Sequence, residues 1–161
     1  ESCSPLRVVL SKGLDISPHA RLFDDSHAVG VLCIAGLGAD PVRKATLERM
    51  GAEVALVPVV GAQLWLPAVM EALVARGITR LLVEGGPGMW RAFSDQSLVD
   101  EIAMYVAGVG EQARSEGLGS ISPLGLVARY AGNLPLGIVD TATLGPDRLW
   151  RLRLAHRQEG H

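Results

Sequence analysis

The sequence predicts an α/β fold: a mostly parallel sheet flanked by helices, with an antiparallel hairpin at its C-terminal end. Three observations carry this. Short apolar runs alternate with helical segments between residues 6 and 94. One of those runs, Ala28–Ala35, is apolar throughout, as suits a strand buried on both faces of a parallel sheet. The closing segment instead alternates apolar and polar residues beside Gly145-Pro146-Asp147, a turn signal.

The elements follow in order. Leu6–Leu10 reads as a first strand, ended by Ser11-Lys12-Gly13, and Ala20–Phe23 as a short turn or helix. After the Ala28–Ala35 strand, Asp40-Pro41 is a helix start, with the carboxylate as N-cap and proline in the first turn. That helix runs to about Met50 and stops at Gly51. Ala52–Val57 is the next strand. Leu64–Arg76 has helical spacing, with Leu66, Val69, Met70, Leu73 and Val74 on one stripe and Gly77 as terminator. Leu81–Val83 reads as a further strand and Gly88–Ser94 as a short helix. Beyond Asp100 come a strand at Ile102–Ala107, a glycine-rich loop at Gly108–Gly119, and a hairpin formed by Leu134–Leu144 and Arg148–Leu154.

Composition excludes several classes. A chain of 161 residues fits one domain. Its hydrophobic content of 48% and mean hydropathy of +0.27 are those of a globular protein. No apolar stretch approaches the roughly 20 residues of a membrane span. A net charge of −2 makes no electrostatic case for nucleic acid. Cys3 and Cys33 form neither a disulfide framework nor a metal pair, and His19, His27, His156 and His161 lack ligand spacing, so no metal site is expected. These features point to a cytoplasmic protein.

Chemistry concentrates in residues 81–94. Glu84 ends an apolar run, Gly85 and Gly86 follow, and a helix can begin at Pro87. A glycine pair at a helix N-terminus presents unpaired N–H groups and a positive dipole end to an anion. The spacing is neither a Walker A loop nor a Gly-x-Gly-x-x-Gly fingerprint. Without a further clue, the pair is equally a tight turn that binds nothing. Met89 and Trp90 either pack inward or touch a ligand. Asp100 and Glu101, adjacent on a strand, point to opposite faces and read as structural rather than as an acid–base couple. Arg43 and Lys44 read as a solvated helix face.

The ordered set of motifs resembles the reductase domain of the bifunctional riboflavin biosynthesis deaminase–reductase, RibD. Pro5-Leu-Arg-Val-Val-Leu, Ser17-Pro18 with Ala20-Arg21-Leu22, Gly51-Ala-Glu-Val with Val57-Pro58, Gly77-Ile78, Leu82-Val-Glu-Gly-Gly and Leu98-Val-Asp-Glu carry the resemblance, with Gly145-Pro146-Asp147. It implies a dihydrofolate-reductase-like fold, NADPH as cofactor, and homodimers. It also implies reduction of the ribosyl group of 5-amino-6-(5-phosphoribosylamino)uracil to a ribityl chain. By position, Glu84 is similar to the family's substrate-contacting glutamate. Gly86, Pro87, Gly88, Met89, Trp90, Arg91 and Ala92 fall where the family contacts NADPH, and Gly85 belongs to the same turn.

The chain departs from the family in three places. Lys12 stands where the family has a serine near the cofactor, and either pairs with a cofactor phosphate or is solvated. Gly108-Val-Gly-Glu-Gln-Ala replaces the family's Leu-Leu-Gly-Gly. The family's first strand, helix and substrate-gripping loops have no counterpart here, so residues 1–161 read as one N-terminally truncated reductase domain. Deaminase motifs (His-x-Glu, Pro-Cys-x-x-Cys) are absent from the sequence, so no deaminase domain is expected. No residue is assigned a catalytic role. Two alternatives stand beside the reductase: a noncatalytic nucleotide-binding module, and a dimerisation module in which the glycines only turn the chain.

Overall fold

The computed structural model of the chain describes residues 4–26, 28–107, 123–132 and 134–154. It divides into two compact units, Glu1–Leu81 and Leu82–His161. Cys3, His27, His156, His161 and the Gly108–Gly119 loop lie outside the described residues.

The first unit is built on a parallel sheet of β1 (Arg7–Leu10), β2 (Val31–Gly36) and β3 (Ala52–Val57), in the order β1-β2-β3. Every residue of the central strand β2 is buried, which is why its sequence shows no alternation. It begins at Val31 rather than Ala28, because Ala28 and Val29 turn back to bond the Asp25 carbonyl. Helix α1 (Pro41–Arg49) starts as expected, with Asp40 Oδ1 accepting from Val42 N–H at 2.8 Å. Gly51, at φ 87°, takes the left-handed turn that ends it. Val31, Cys33 and Ala35 share one core with Leu14, Phe23, Leu47 and Ala52, so α1 and the 3-10 turn Arg21–Phe23 cover that face. Leu32 and Ile34 alternate to the other face and are fully buried.

Helix α2 (Leu66–Val74) is shorter than its spacing predicts. Leu64 pairs with Val59 across a small hairpin, β4 (Val59–Val60) and β5 (Gln63–Leu64), turned at Gly61 with φ 61°. At the other end Gly77 (φ 75°) lets Ile78 N–H return to the Leu73 carbonyl, at 3.2 Å.

The second unit holds α3 (Pro87–Asp95), β6 (Glu101–Val106), α4 (Pro123–Ala131), β7 (Leu136–Leu144) and β8 (Asp147–Leu154). Its sheet is antiparallel, in the order β6-β8-β7. The expected hairpin forms, closed at Gly145 with φ 64°, but it joins β6 in a sheet of its own rather than extending the parallel one. Val127 of α4 packs with Leu136 and Leu152, flanked by Ile102, Met104, Leu134, Trp150 and Leu154.

One expected strand does not form. Residues 78–86 carry no helix or strand, and Leu82 is 76% exposed. A run of three apolar residues becomes a strand only by pairing, and no described strand pairs with Leu81–Val83.

Candidate functional site

The glycine segment is defined by the start of α3 rather than by a strand before it. Gly86 is the N-cap, with φ −77° and ψ 178°, and it has no side chain to satisfy the first turn. Its carbonyl accepts from Met89 N–H at 2.9 Å and Trp90 N–H at 3.2 Å. Pro87 lacks an N–H, and the N–H groups of Gly85, Gly86 and Gly88 have no acceptor among the described residues. Helix α1 differs, since Asp40 already fills its first turn.

The glycines divide into two kinds. A Cβ at Gly85 would lie 2.6 Å from Met89 Cβ and 2.8 Å from its Cγ, so Gly85 is required by close approach to α3. A Cβ at Gly86 or Gly88 would meet nothing within 4 Å. Both therefore present bare backbone to open space, beside the positive end of the helix dipole. This arrangement can hold an anion.

The side chains around it take distinct places. Glu84 is exposed and makes no hydrogen bond or ion pair among the described residues. Met89 is half-buried, Trp90 is 40% exposed and Ala92 is half-buried. Arg91 is exposed but turned toward α4: a Cβ built on Gly132 would lie 2.7 Å from Arg91 Nη1. Phe93 and Ser94 form the buried side of the helix, and Ser94 Oγ has no hydrogen-bond partner among the described residues. Glu84 and Gly85 through Ala92 thus form one continuous segment of the second unit.

Lys12 belongs to the first unit. It follows the carboxyl end of β1, and its carbonyl accepts from Gly36 N–H, at the end of β2, at 3.0 Å. The carboxyl edge of a parallel sheet is the ligand side of open α/β folds. Lys12 is exposed with no ion pair among the described residues. Other charged groups near that edge are engaged: Arg43 with Asp15 and Asp40, and Lys44 with Glu48 at 2.5 Å. Glu101 is likewise structural, bound by Arg153 of β8 at 2.8 Å.

Among the described residues, two of the cavities are lined by neither Lys12, Glu84 nor residues 85–92, although Asp15 and Arg43 line the second. One of about 550 Å³ lies between α4 and Leu134–Leu136; the other, of about 400 Å³, lies between Leu14–Pro18 and α1. Among the described residues no group of three or more His, Cys, Asp or Glu is placed to hold a metal. No described helix is long and apolar enough to cross a membrane.

Comparison with known proteins bears on this segment. The sequence matches the RibD C-terminal domain family over residues 2–118, which include Lys12, Glu84 and the whole of α3. It is 33% identical over 102 residues to the 2,5-diamino-6-ribosylamino-4(3H)-pyrimidinone 5′-phosphate reductase of Archaeoglobus fulgidus. That alignment covers 63% of this chain and 44% of the relative, so the chain spans under half the length of the relative it matches. A crystal structure of a diaminohydroxyphosphoribosylaminopyrimidine deaminase/5-amino-6-(5-phosphoribosylamino)uracil reductase from Thermotoga maritima superposes with a TM-score of 0.61 at 18% identity. The match covers 94% of this chain and 38% of that one, and it shows a shared fold.

Proposed function

This chain belongs to the RibD C-terminal domain family, and we propose that it acts as an NADPH-dependent reductase on a ribosylamino-pyrimidine 5′-phosphate. The single observation that carries the reading is the uncapped, bare-backbone start of α3 at Gly86 and Gly88. Phosphates on a cofactor fit such a site, because its N–H donors and dipole are fixed before the ligand arrives. Gly85, Gly86, Pro87, Gly88, Met89, Trp90 and Ala92 form the proposed cofactor segment of the second unit. Separately, the exposed Lys12 of the first unit is proposed as a phosphate-binding cation. NADPH supplies the hydride, and the protein supplies binding, orientation and charge.

Glu84, next to the turn and without a partner among the described residues, is the proposed substrate contact, accepting hydrogen bonds from a pyrimidine or sugar donor. The two relatives are named for different pyrimidines but share a ribosylamino 5′-phosphate. We take 5-amino-6-(5-phosphoribosylamino)uracil, reduced to its ribityl form, as the first substrate to test. A cytoplasmic homodimer is the proposed working state.

A titration of the purified chain with NADPH, followed by nicotinamide fluorescence and thermal unfolding, tests the reading. At a hundred times the dissociation constant, bound cofactor adds about 2.7 kcal/mol of stability. No shift at millimolar NADPH would leave the glycine segment a turn within a dimerisation module. Binding without turnover of the pyrimidine would favour the noncatalytic nucleotide-binding module. Glu84→Gln is expected to lower turnover while NADPH affinity holds.

A further inference from the structure

Arg91 stands out on α3 because its contact leads away from the glycine turn. Its guanidinium lies at Gly132, the residue after α4, where a Cβ would come within 2.7 Å of Nη1 and 3.8 Å of Cζ. Gly132 sits at φ 85°, the left-handed conformation that commonly ends a helix. A cation near the C-terminal end of α4 meets the negative end of its helix dipole. α3 and α4 pack together, and Arg91 lies one turn beyond the Pro87-Gly88 start of its own helix. Val127 and the β7–β8 hairpin hold α4 in turn, through the core it shares with Leu136 and Leu152.

We propose that Arg91 is a positioning residue: it ties α3 to the C-terminal end of α4 and so fixes the glycine turn for the cofactor, without touching the cofactor itself. The contact needs both parts. The guanidinium supplies the charge, and Gly132 supplies the room: a Cβ there would meet Nη1 at 2.7 Å, so the end of the Arg91 side chain would have to shift. Met89 against Gly85 sets the turn locally, and Arg91 sets the direction of the helix that carries it.

This inference rests on the reading of the turn as an NADPH site, and four variants separate the two. Wild type, Arg91→Ala, Arg91→Lys, Gly132→Ala and the double variant Arg91→Ala/Gly132→Ala are titrated with NADPH and unfolded in urea without it. Arg91→Ala and Gly132→Ala are each expected to weaken NADPH about tenfold, within what a cation at a helix terminus contributes. The double variant should be no worse than either single one, and Arg91→Lys should recover most of the loss. Wild-type binding with affinity unchanged in Arg91→Ala, or lost in Arg91→Ala but retained in Gly132→Ala, would overturn the inference alone. A loss of urea stability with unchanged NADPH affinity would make the contact merely structural, and also overturn it. Failure of the wild type to bind NADPH would overturn the reductase reading and the inference together.

Discussion

Alanine at each of three neighbouring glycines separates what holds the turn from what the turn holds. At Gly85 the added Cβ would stand 2.6 Å from Met89 Cβ. Carbon atoms pack at about 3.5–4.0 Å, so roughly 1 Å of overlap must be relieved. Met89 Cβ is bonded to the α3 backbone and cannot rotate away, so the start of the helix must move. Overpacking of this kind costs about 1–3 kcal/mol. At about 2 kcal/mol, and some 2–4 °C per kcal/mol for a chain of this size, the apo melting temperature falls by roughly 4–8 °C. Gly86 and Gly88 behave differently, because neither has an atom within 4 Å of the new Cβ. Gly86→Ala keeps an allowed φ of −77° and should change apo stability by less than about 1 kcal/mol. Gly88→Ala replaces a poor helix former and should stabilise by up to about 1 kcal/mol. Both put a methyl group on the open backbone, and NADPH should bind at least about tenfold more weakly to each, a loss of ~1.4 kcal/mol. Urea unfolding without ligand and fluorescence titration with NADPH give the two readouts. Gly85→Ala as stable as wild type would refute the steric argument. Gly86→Ala and Gly88→Ala with wild-type affinity would refute the placement of the anion.

Three further outcomes follow from groups away from the turn. Ser94 is 6% exposed and its hydroxyl has no partner among the described residues, so Ser94→Ala should leave urea stability unchanged or raise it by up to about 1 kcal/mol; a larger loss would reveal a partner. The Arg7 guanidinium, bonded to Asp25 at 2.5 Å, holds the Asp25 carboxyl below its usual range. The stabilisation is therefore present above the unfolded carboxyl value of about 3.9 and is lost as pH falls through the lower folded one. Asp25→Asn should flatten that part of the acid limb in urea midpoints measured between pH 7 and 3. Cys33 is 0% exposed and burial raises its thiol pKa, so in a Cys3→Ser background iodoacetamide should label it only on unfolding. Its contribution has the opposite sign: full below the ordinary thiol pKa, lost as pH rises and the unfolded thiol ionises first.

Local chemistry was legible wherever it decides structure by itself. Asp40-Pro41 and Gly51 bound α1 because a cap and a left-handed terminator act within a few residues. Helix α4 carried similar signals, Pro123 at its start and Gly132 after its end, and went unread because the segment before it offered no periodicity. Leu64 was misplaced for a different reason. It stands off the Leu66–Val74 stripe, its backbone is held by Val59, and both that phase and the Gly61 turn between them are the available clues. Leu81–Val83 has the composition of a strand and lacks the pairing, which no property of three residues can supply.

Losing that strand changes what the candidate site rests on. A pocket defined by the carboxyl end of a strand would fall with the strand, since its position would no longer be fixed. The donors at this site do not belong to a strand. They are the N–H groups of Gly85, Gly86 and Gly88, left over because a helix begins at Pro87 and the residue capping it has no side chain. The direction of those donors is set from the other side, by Met89 closing on Gly85 and by Arg91 reaching Gly132. An anion bound there reports on how firmly α3 is held, and not on how well residues 81–83 pair. Substitutions at Leu82, which is largely exposed, should therefore leave NADPH affinity near that of wild type, while those at Gly85 or Arg91 should not.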